Sequence, residues 1–189
     1  MRTPFRLPAV TLVLAAALAV SGCTPDKPSP VPSVSRSGTP LFASDEEALA
    51  AAEEAYAAYL AVYDAILIDG GMASERLLQV ATPEQYEYEK AGFESAVLMG
   101  YRSSGGSTFD RASLQSLSSN GSNPVATVYL CEDVSAVDIR DASGVSVVPA
   151  GRADRFPLLV EFESSDGAAL SLKVSGIEEW TGTDFCLES

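Results

Sequence analysis

Residues 108–131 read TFDRASLQSLSSNGSNPVATVYLC. Two runs of alternating and β-branched character flank Asn120-Gly121, a pair that tolerates the positive φ angles of a tight hairpin turn. Residues 109–117 and 124–131 therefore read as neighbouring antiparallel strands, because a parallel pair would need a much longer crossover. The same texture continues at 134–140, 145–148, 156–163 and 169–180, with turns at Asp141-Ala142-Ser143-Gly144 and Ser165-Asp166-Gly167. A meander follows from these short connections. Asn120-Gly121-Ser122 also matches a glycosylation acceptor pattern, and it reads here as the hairpin turn.

Upstream of Thr108 the period changes. Ser44 followed three residues later by Glu47 forms a capping box, and Asp45, Glu46 and Glu47 suit the positive end of a helix dipole. Leu49, Ala52, Tyr56, Tyr59, Tyr63 and Ile66 then recur at three- and four-residue steps, placing them on one face. Gly70-Gly71 ends that helix. A short helical piece is expected at 74–81. Thr82-Pro83-Glu84-Gln85 gives a second capping box with proline at the first helical position. This helix should run to Met99 or Arg102, with Tyr86, Phe93, Val97 and Tyr101 inward, and residues 103–107 close the helical half. Gln85 to Glu89 reads as a charged, aromatic surface. Helices first and strands afterwards predict an α+β domain, amino-terminal helices packed on one face of a curved antiparallel β-sheet.

The chain has 189 residues and a net charge of −14. Such acidity repels phosphate backbones, so no nucleic acid is expected as a partner. Histidine is absent, which excludes Ser–His–Asp and Cys–His nucleophile activation and every imidazole-bound zinc site. Acid–base chemistry would fall to Asp, Glu, Tyr or Lys. No Asp-x-Asp-x-Asp-Gly loop is present, which ranks a calcium-binding surface protein last. No metal ligand set, cofactor or catalytic residue is assigned. Asp133, Asp138 and Asp141 lie near turns, where solvated carboxylates are expected.

Arg2 and Arg6 precede an uncharged run, 7–20, that is short for a permanent membrane span and suits the apolar core of a removable leader. Val20-Ser21-Gly22-Cys23 resembles the bacterial lipobox. The resemblance implies cleavage before Cys23, a diacylglyceryl thioether with further palmitate-like acylation there, and anchoring on the outer, extracytoplasmic face of the cell membrane. Removing Arg2 and Arg6 takes the charge from −14 to −16. Residues 1–22 are then a signal peptide. Residues 23–43, with Pro25, Pro28, Pro30, Pro32 and Pro40, form an extended spacer, and 44–189 a single folded domain. With Cys23 lipidated, Cys131 and Cys186 remain, and two cysteines in an exported domain are expected to form a disulfide that pins the tail to a central strand.

Helices followed by a twisted antiparallel sheet resemble the nuclear transport factor 2 superfamily, a cone-shaped α+β fold. Cys131-Glu132-Asp133-Val134-Ser135, the Asp141–Gly144 turn and the late Cys186 look like secreted actinobacterial lipoproteins of that superfamily. The fold hosts isomerases, dehydratases, cyclases and pure binding subunits, so it does not decide function. The leading expectation is a non-catalytic binding or protein-interaction module of the cell envelope. Its partner would be an envelope protein or a small apolar ligand, with Tyr56, Tyr59, Tyr63 or Trp180 on the pocket walls. The tyrosines read first as core side chains with their hydroxyls at the rim. The alternative is an isomerase- or cyclase-type enzyme using a buried carboxylate and a tyrosine.

Overall fold

Ser44 caps the first helix as its spacing predicts, its hydroxyl accepting from Glu47 N–H at 3.2 Å, while Glu47 reaches back to Ala43 N–H at 2.7 Å. The computed structural model describes residues 42–120, 123–164 and 171–187; the leader, Cys23, the spacer through Leu41, Gly121 and the Ser165–Gly167 turn lie outside these. Phe42 is already buried in the core, so the folded chain includes the last two residues assigned to the spacer.

Helix α1 spans Asp45–Ile68 and ends where Gly70 and Gly71 take positive φ. Gly71 is held to glycine twice over, since a Cβ there would stand 2.2 Å from the Phe93 carbonyl oxygen. A 3-10 helix, Ser74–Gln79, leads to α2, Pro83–Met99, whose cap is Thr82. Among the described residues six strands follow: β1 Arg102–Ser104, β2 Thr108–Asn120, β3 Asn123–Asp133, β4 Asp138–Arg140, β5 Arg155–Ser164 and β6 Leu172–Glu179. The molecule is an α+β structure with its helices preceding an antiparallel sheet of order β2-β3-β5-β6; β1 and β4 form a separate two-stranded ribbon.

Strand alternation sorts the sheet into two faces. Leu114, Val128, Val160 and Ile177 lie in one cross-strand row, and Leu117, Ala126, Phe162 and Val174 in the next. These rows pack against Ala48, Ala52, Tyr56, Tyr59 and Leu60 of α1 and Phe93 of α2 in one apolar core. The far edge of β6 is covered, because Val174 exchanges hydrogen bonds with Val80 and Thr82 at 3.0 and 2.9 Å. Among the described residues no helix is long and apolar enough to cross a membrane.

Several sequence expectations need correction. Residues 134–137 are a turn, closed by Val137 N–H to Val134 C=O at 2.9 Å and by Asp133 accepting from Ser135 N–H, so the expected strand at 134–140 shrinks to β4. Residues 145–148 form no strand. Their β-branched side chains have no sheet to pack on, and Ser146 makes a lone bridge to Arg140. Residues 102–104 pair as β1, where the end of the second helix at Met99 or Arg102 and the closing 103–107 segment were expected. Val97 is 48% exposed and not inward, because the apolar face of α2 is carried by Phe93 and Ala96.

Candidate functional site

The periodicity of α1 stacks three phenols along the inner face of the domain. Tyr56 and Tyr59 are parallel at 5.9 Å between ring centroids, and Tyr59 and Tyr63 at 5.7 Å. Phe109 and Phe162 of the sheet meet Tyr56 edge-on at 5.1 and 6.4 Å, and Phe93 of α2 meets Tyr63 at 5.1 Å. Tyr56 and Tyr59 are fully buried and Tyr63 half-buried, so the two former are packed core rather than open pocket walls.

Each buried hydroxyl finds a carboxylate. Tyr56 donates to Glu132 Oε2 at 3.0 Å, tying α1 to β3. Tyr59 donates to Glu89 Oε1 at 3.2 Å, and Gln85 Nε2 donates to the same oxygen at 2.7 Å, tying α1 to α2. Glu132 faces inward for the same reason as Ala126, Val128 and Leu130: it is the next residue on the period-two face of β3. Gln85 is 4% exposed and Glu89 half-buried, so the stretch read as plain surface supplies the helix side of this cluster. On the neighbouring turn of α1, Asp64 accepts from Ser107 N–H at 2.7 Å and Ser107 Oγ at 3.0 Å.

Burial shapes the electrostatics. It pushes the Glu132 carboxyl above the usual carboxylate range; the Tyr56 hydrogen bond opposes this, and the charges of Asp64 and Glu89 add to it. Burial also raises Glu89, against the hydrogen bonds from Tyr59, Gln85 and Tyr63. The phenols of Tyr56, Tyr59 and Tyr63 are driven up, first by burial and then by the same carboxylates, and stay protonated donors at any physiological pH. Chemically this is a proton-rich cluster in which two carboxyls could hold or release a proton.

Trp180 does not belong to it. Its indole packs against Tyr129 at 5.1 Å, and its Nε1–H donates to Thr183 C=O at 3.2 Å. Tyr129 lies between inward Val128 and Leu130, hence on the outer face of the sheet. The tail after β6 turns onto that outer face, where Phe185 also meets Tyr129 and Arg111 donates to the Phe185 carbonyl. Cys131, two residues along from Tyr129, is joined to Cys186 with the sulfurs 2.04 Å apart. Of the four expected pocket residues, three share the inner face and Trp180 sits on the opposite one.

Asp133 is held below the usual carboxylate range by Ser135 and by Arg155, which also bonds Asp110. Asp138 is lowered by Ser146 and Arg140, and Asp141 by the Ser143 hydroxyl and the amides of its own turn. All three are structural turn carboxylates. Two surface concavities lie elsewhere. One of about 370 Å³ runs between α1 and β6 past Ala51, Ala55 and Lys173, and one of about 560 Å³ lies beside Arg102 and Arg140. Among the described residues no cluster of three or more acidic or cysteine side chains is placed to hold a metal ion.

No protein-family profile matches the chain, and no curated protein matches its sequence. The structure is similar to the crystal structure of the intermembrane space region of the chloroplast protein ARC6, at 13% identity and a TM-score of 0.50. The match covers 71% of this chain and 97% of that one. At that identity the likeness is one of fold.

Proposed function

We propose that this chain is a lipid-anchored, extracytoplasmic lipoprotein whose nuclear transport factor 2-like domain is a non-catalytic binding module of the cell envelope. The observation that carries the non-catalytic reading is the filled interior. Tyr56, Tyr59, Phe93 and Phe162 occupy the space between helices and sheet, and the two interior carboxyls are engaged by phenol hydrogen bonds. A domain packed in this way presents its outer surfaces, not an inner cavity, to a partner. The anchoring part rests on residues 20–23, and the order of helices before a β2-β3-β5-β6 sheet is compatible with the cone-shaped fold.

Labelling of cells with radioactive palmitate tests the anchor. The native chain should carry label in the membrane fraction, and Cys23→Ser should lose both the label and the membrane association. Persistent labelling of that variant would refute the assignment.

A second reading, an isomerase- or cyclase-type enzyme, is favoured by one feature: Glu132 and Glu89 stand half-buried beside tyrosines with their proton affinity raised. It requires the filled interior beside Tyr63 to open to a small molecule. Thermal-shift screening with uncharged phenols and cyclic ketones separates the readings. A stabilising hit that is turned over, with turnover lost in Glu132→Gln, supports the enzyme, and a hit that is bound without turnover supports the binding module.

A further inference from the structure

Both main helices end in apolar turns. α1 closes with Ile66-Leu67-Ile68 and α2 with Val97-Leu98-Met99, and neither last turn carries the lysine or arginine that a solvated helix end favours. Ile68, Val97, Leu98 and Met99 are exposed, Leu98 at 84%. Met72, just past the glycine stop of α1, is exposed as well, and so are Val145 and Val147 in the segment after β4. Among the described residues these are seven of the ten large apolar side chains left exposed.

They share one pole of the domain. A Cβ on Gly71 would stand 3.2 Å from Val97 Cγ2, and Arg102 of β1 donates to the Ile68 carbonyl at 3.2 Å, so the two helix ends meet the β1–β4 ribbon. On that ribbon Val147 N–H donates to Ile139 C=O at 2.8 Å, and a Cβ on Gly100 would stand 3.3 Å from Ala142 Cβ. Exposed apolar side chains gathered in this way mark a contact surface. Charge at the pole is close to balance, whereas the chain as a whole has 26 acidic and 12 basic residues. Arg76 pairs with Asp69 and Arg140 with Asp138, each at 2.8 Å. Arg102, without a carboxylate partner among the described residues, stands against Glu75 and Asp141.

We propose that this pole docks on a lipid surface, the bilayer that holds the chain, and the proposal rests on the lipid-anchored reading of Cys23. Charge and reach select the occupant. Anionic headgroups repel the rest of this acidic surface, so the near-neutral pole is the face that can approach them. Its apolar side chains enter the boundary between headgroups and acyl chains, and Arg102 meets a phosphate. The described chain starts at Phe42, beside the opposite end of α1, about 36 Å from the pole for a 24-residue helix. Residues 24–41 can extend to about 60 Å at most. A domain tethered at Cys23 can therefore turn its pole to the bilayer, and the tether keeps it there at high effective concentration.

Methionine oxidation tests this. Met72 and Met99 are the only methionines after Met1, both belong to the pole, and peroxide converts an accessible thioether to the sulfoxide. The full chain, processed and acylated, is placed in phosphatidylglycerol–phosphatidylethanolamine vesicles, recovered by flotation and treated with peroxide, and sulfoxide at each site is followed by mass spectrometry. The comparison is Leu98→Ser/Val145→Ser, which removes two exposed apolar side chains without changing charge and should keep the circular dichroism of the native chain. On vesicles both methionines should oxidise about fivefold or more slowly in the native chain than in the variant. That protection should persist when the protein is spread over about tenfold more lipid. Equal rates in the two chains would overturn the docking and leave the anchor standing. Protection that fades as surface density falls would assign the pole to a neighbouring protein and overturn it as well. A native chain that does not float would overturn the anchor, and the docking with it.

Discussion

Glu132 shows what one residue contributes when strand alternation and burial disagree with its chemistry. Its position on β3 faces the core, and burial there disfavours its charge. Tyr56 supplies a hydrogen bond, and Glu89 supplies a like charge across the same space. Because Glu132 and Glu89 both bind protons more readily in the folded chain than in the unfolded one, their contribution is fully present below the ordinary glutamate range. It is lost as pH rises through their raised values. Asp133, Asp138 and Asp141 act in the opposite sense: their lowered values give stability above the ordinary aspartate range that is lost as pH falls. Stability should therefore peak in mild acid, between the two sets. Urea unfolding across a pH series checks this. Glu132→Gln should flatten the decline from mild acid to neutrality; an unchanged slope would show that the carboxyl is not coupled to folding.

At the level of elements, the helices are specified by their ends. Thr82 accepts from Gln85 N–H at 3.3 Å, and Pro83 occupies the first helical position. The backbone N–H of Thr82 also donates to Val174 C=O on β6, so this one residue starts α2 and fastens it to the sheet edge. Thr82→Ala should cost about 1 kcal/mol, the worth of an N-cap hydroxyl. The measurement is the shift in urea midpoint at constant m-value. A loss in m-value as well would indicate that α2 has detached from the sheet.

For the whole molecule, the disulfide decides how the carboxyl-terminal tail is held. Cys131 and Cys186 are 55 residues apart in sequence, and closing such a loop is worth up to about 4 kcal/mol in the chain-entropy account. The Cys131→Ala/Cys186→Ala double variant should lose stability of that order. It should also release the tail from the outer face while the helix–sheet core persists. Trp180 is the single tryptophan, and it rests against Tyr129. Its emission should shift to the red in the double variant, with the far-ultraviolet spectrum retained. Unshifted emission would mean that the Tyr129 and Arg111 contacts hold the tail unaided.

Much of this architecture is local and was legible in the residues. Capping boxes, glycine stops, the tyrosine spacing and the alternation of 124–131 depend on near neighbours, so they mark α1, α2 and the central hairpin directly. Glu132 continues the Ala126, Val128, Leu130 series, but the strand was expected to end at Cys131, and a charged residue past a strand end reads as solvated unless a partner is known. Tertiary packing alone supplied that partner, Tyr56, 76 positions away. It turned Gln85 and Glu89 from surface into cluster, because helix faces are assigned by what packs on them. It also sent Trp180 to the opposite face, because a register irregularity between Val174 and Gly176 shifts the alternation of β6 by one residue before the strand reaches position 180. Residues 145–148 failed as a strand for a related reason: β-branched alternation makes a strand only where a neighbouring strand and a covered face await it.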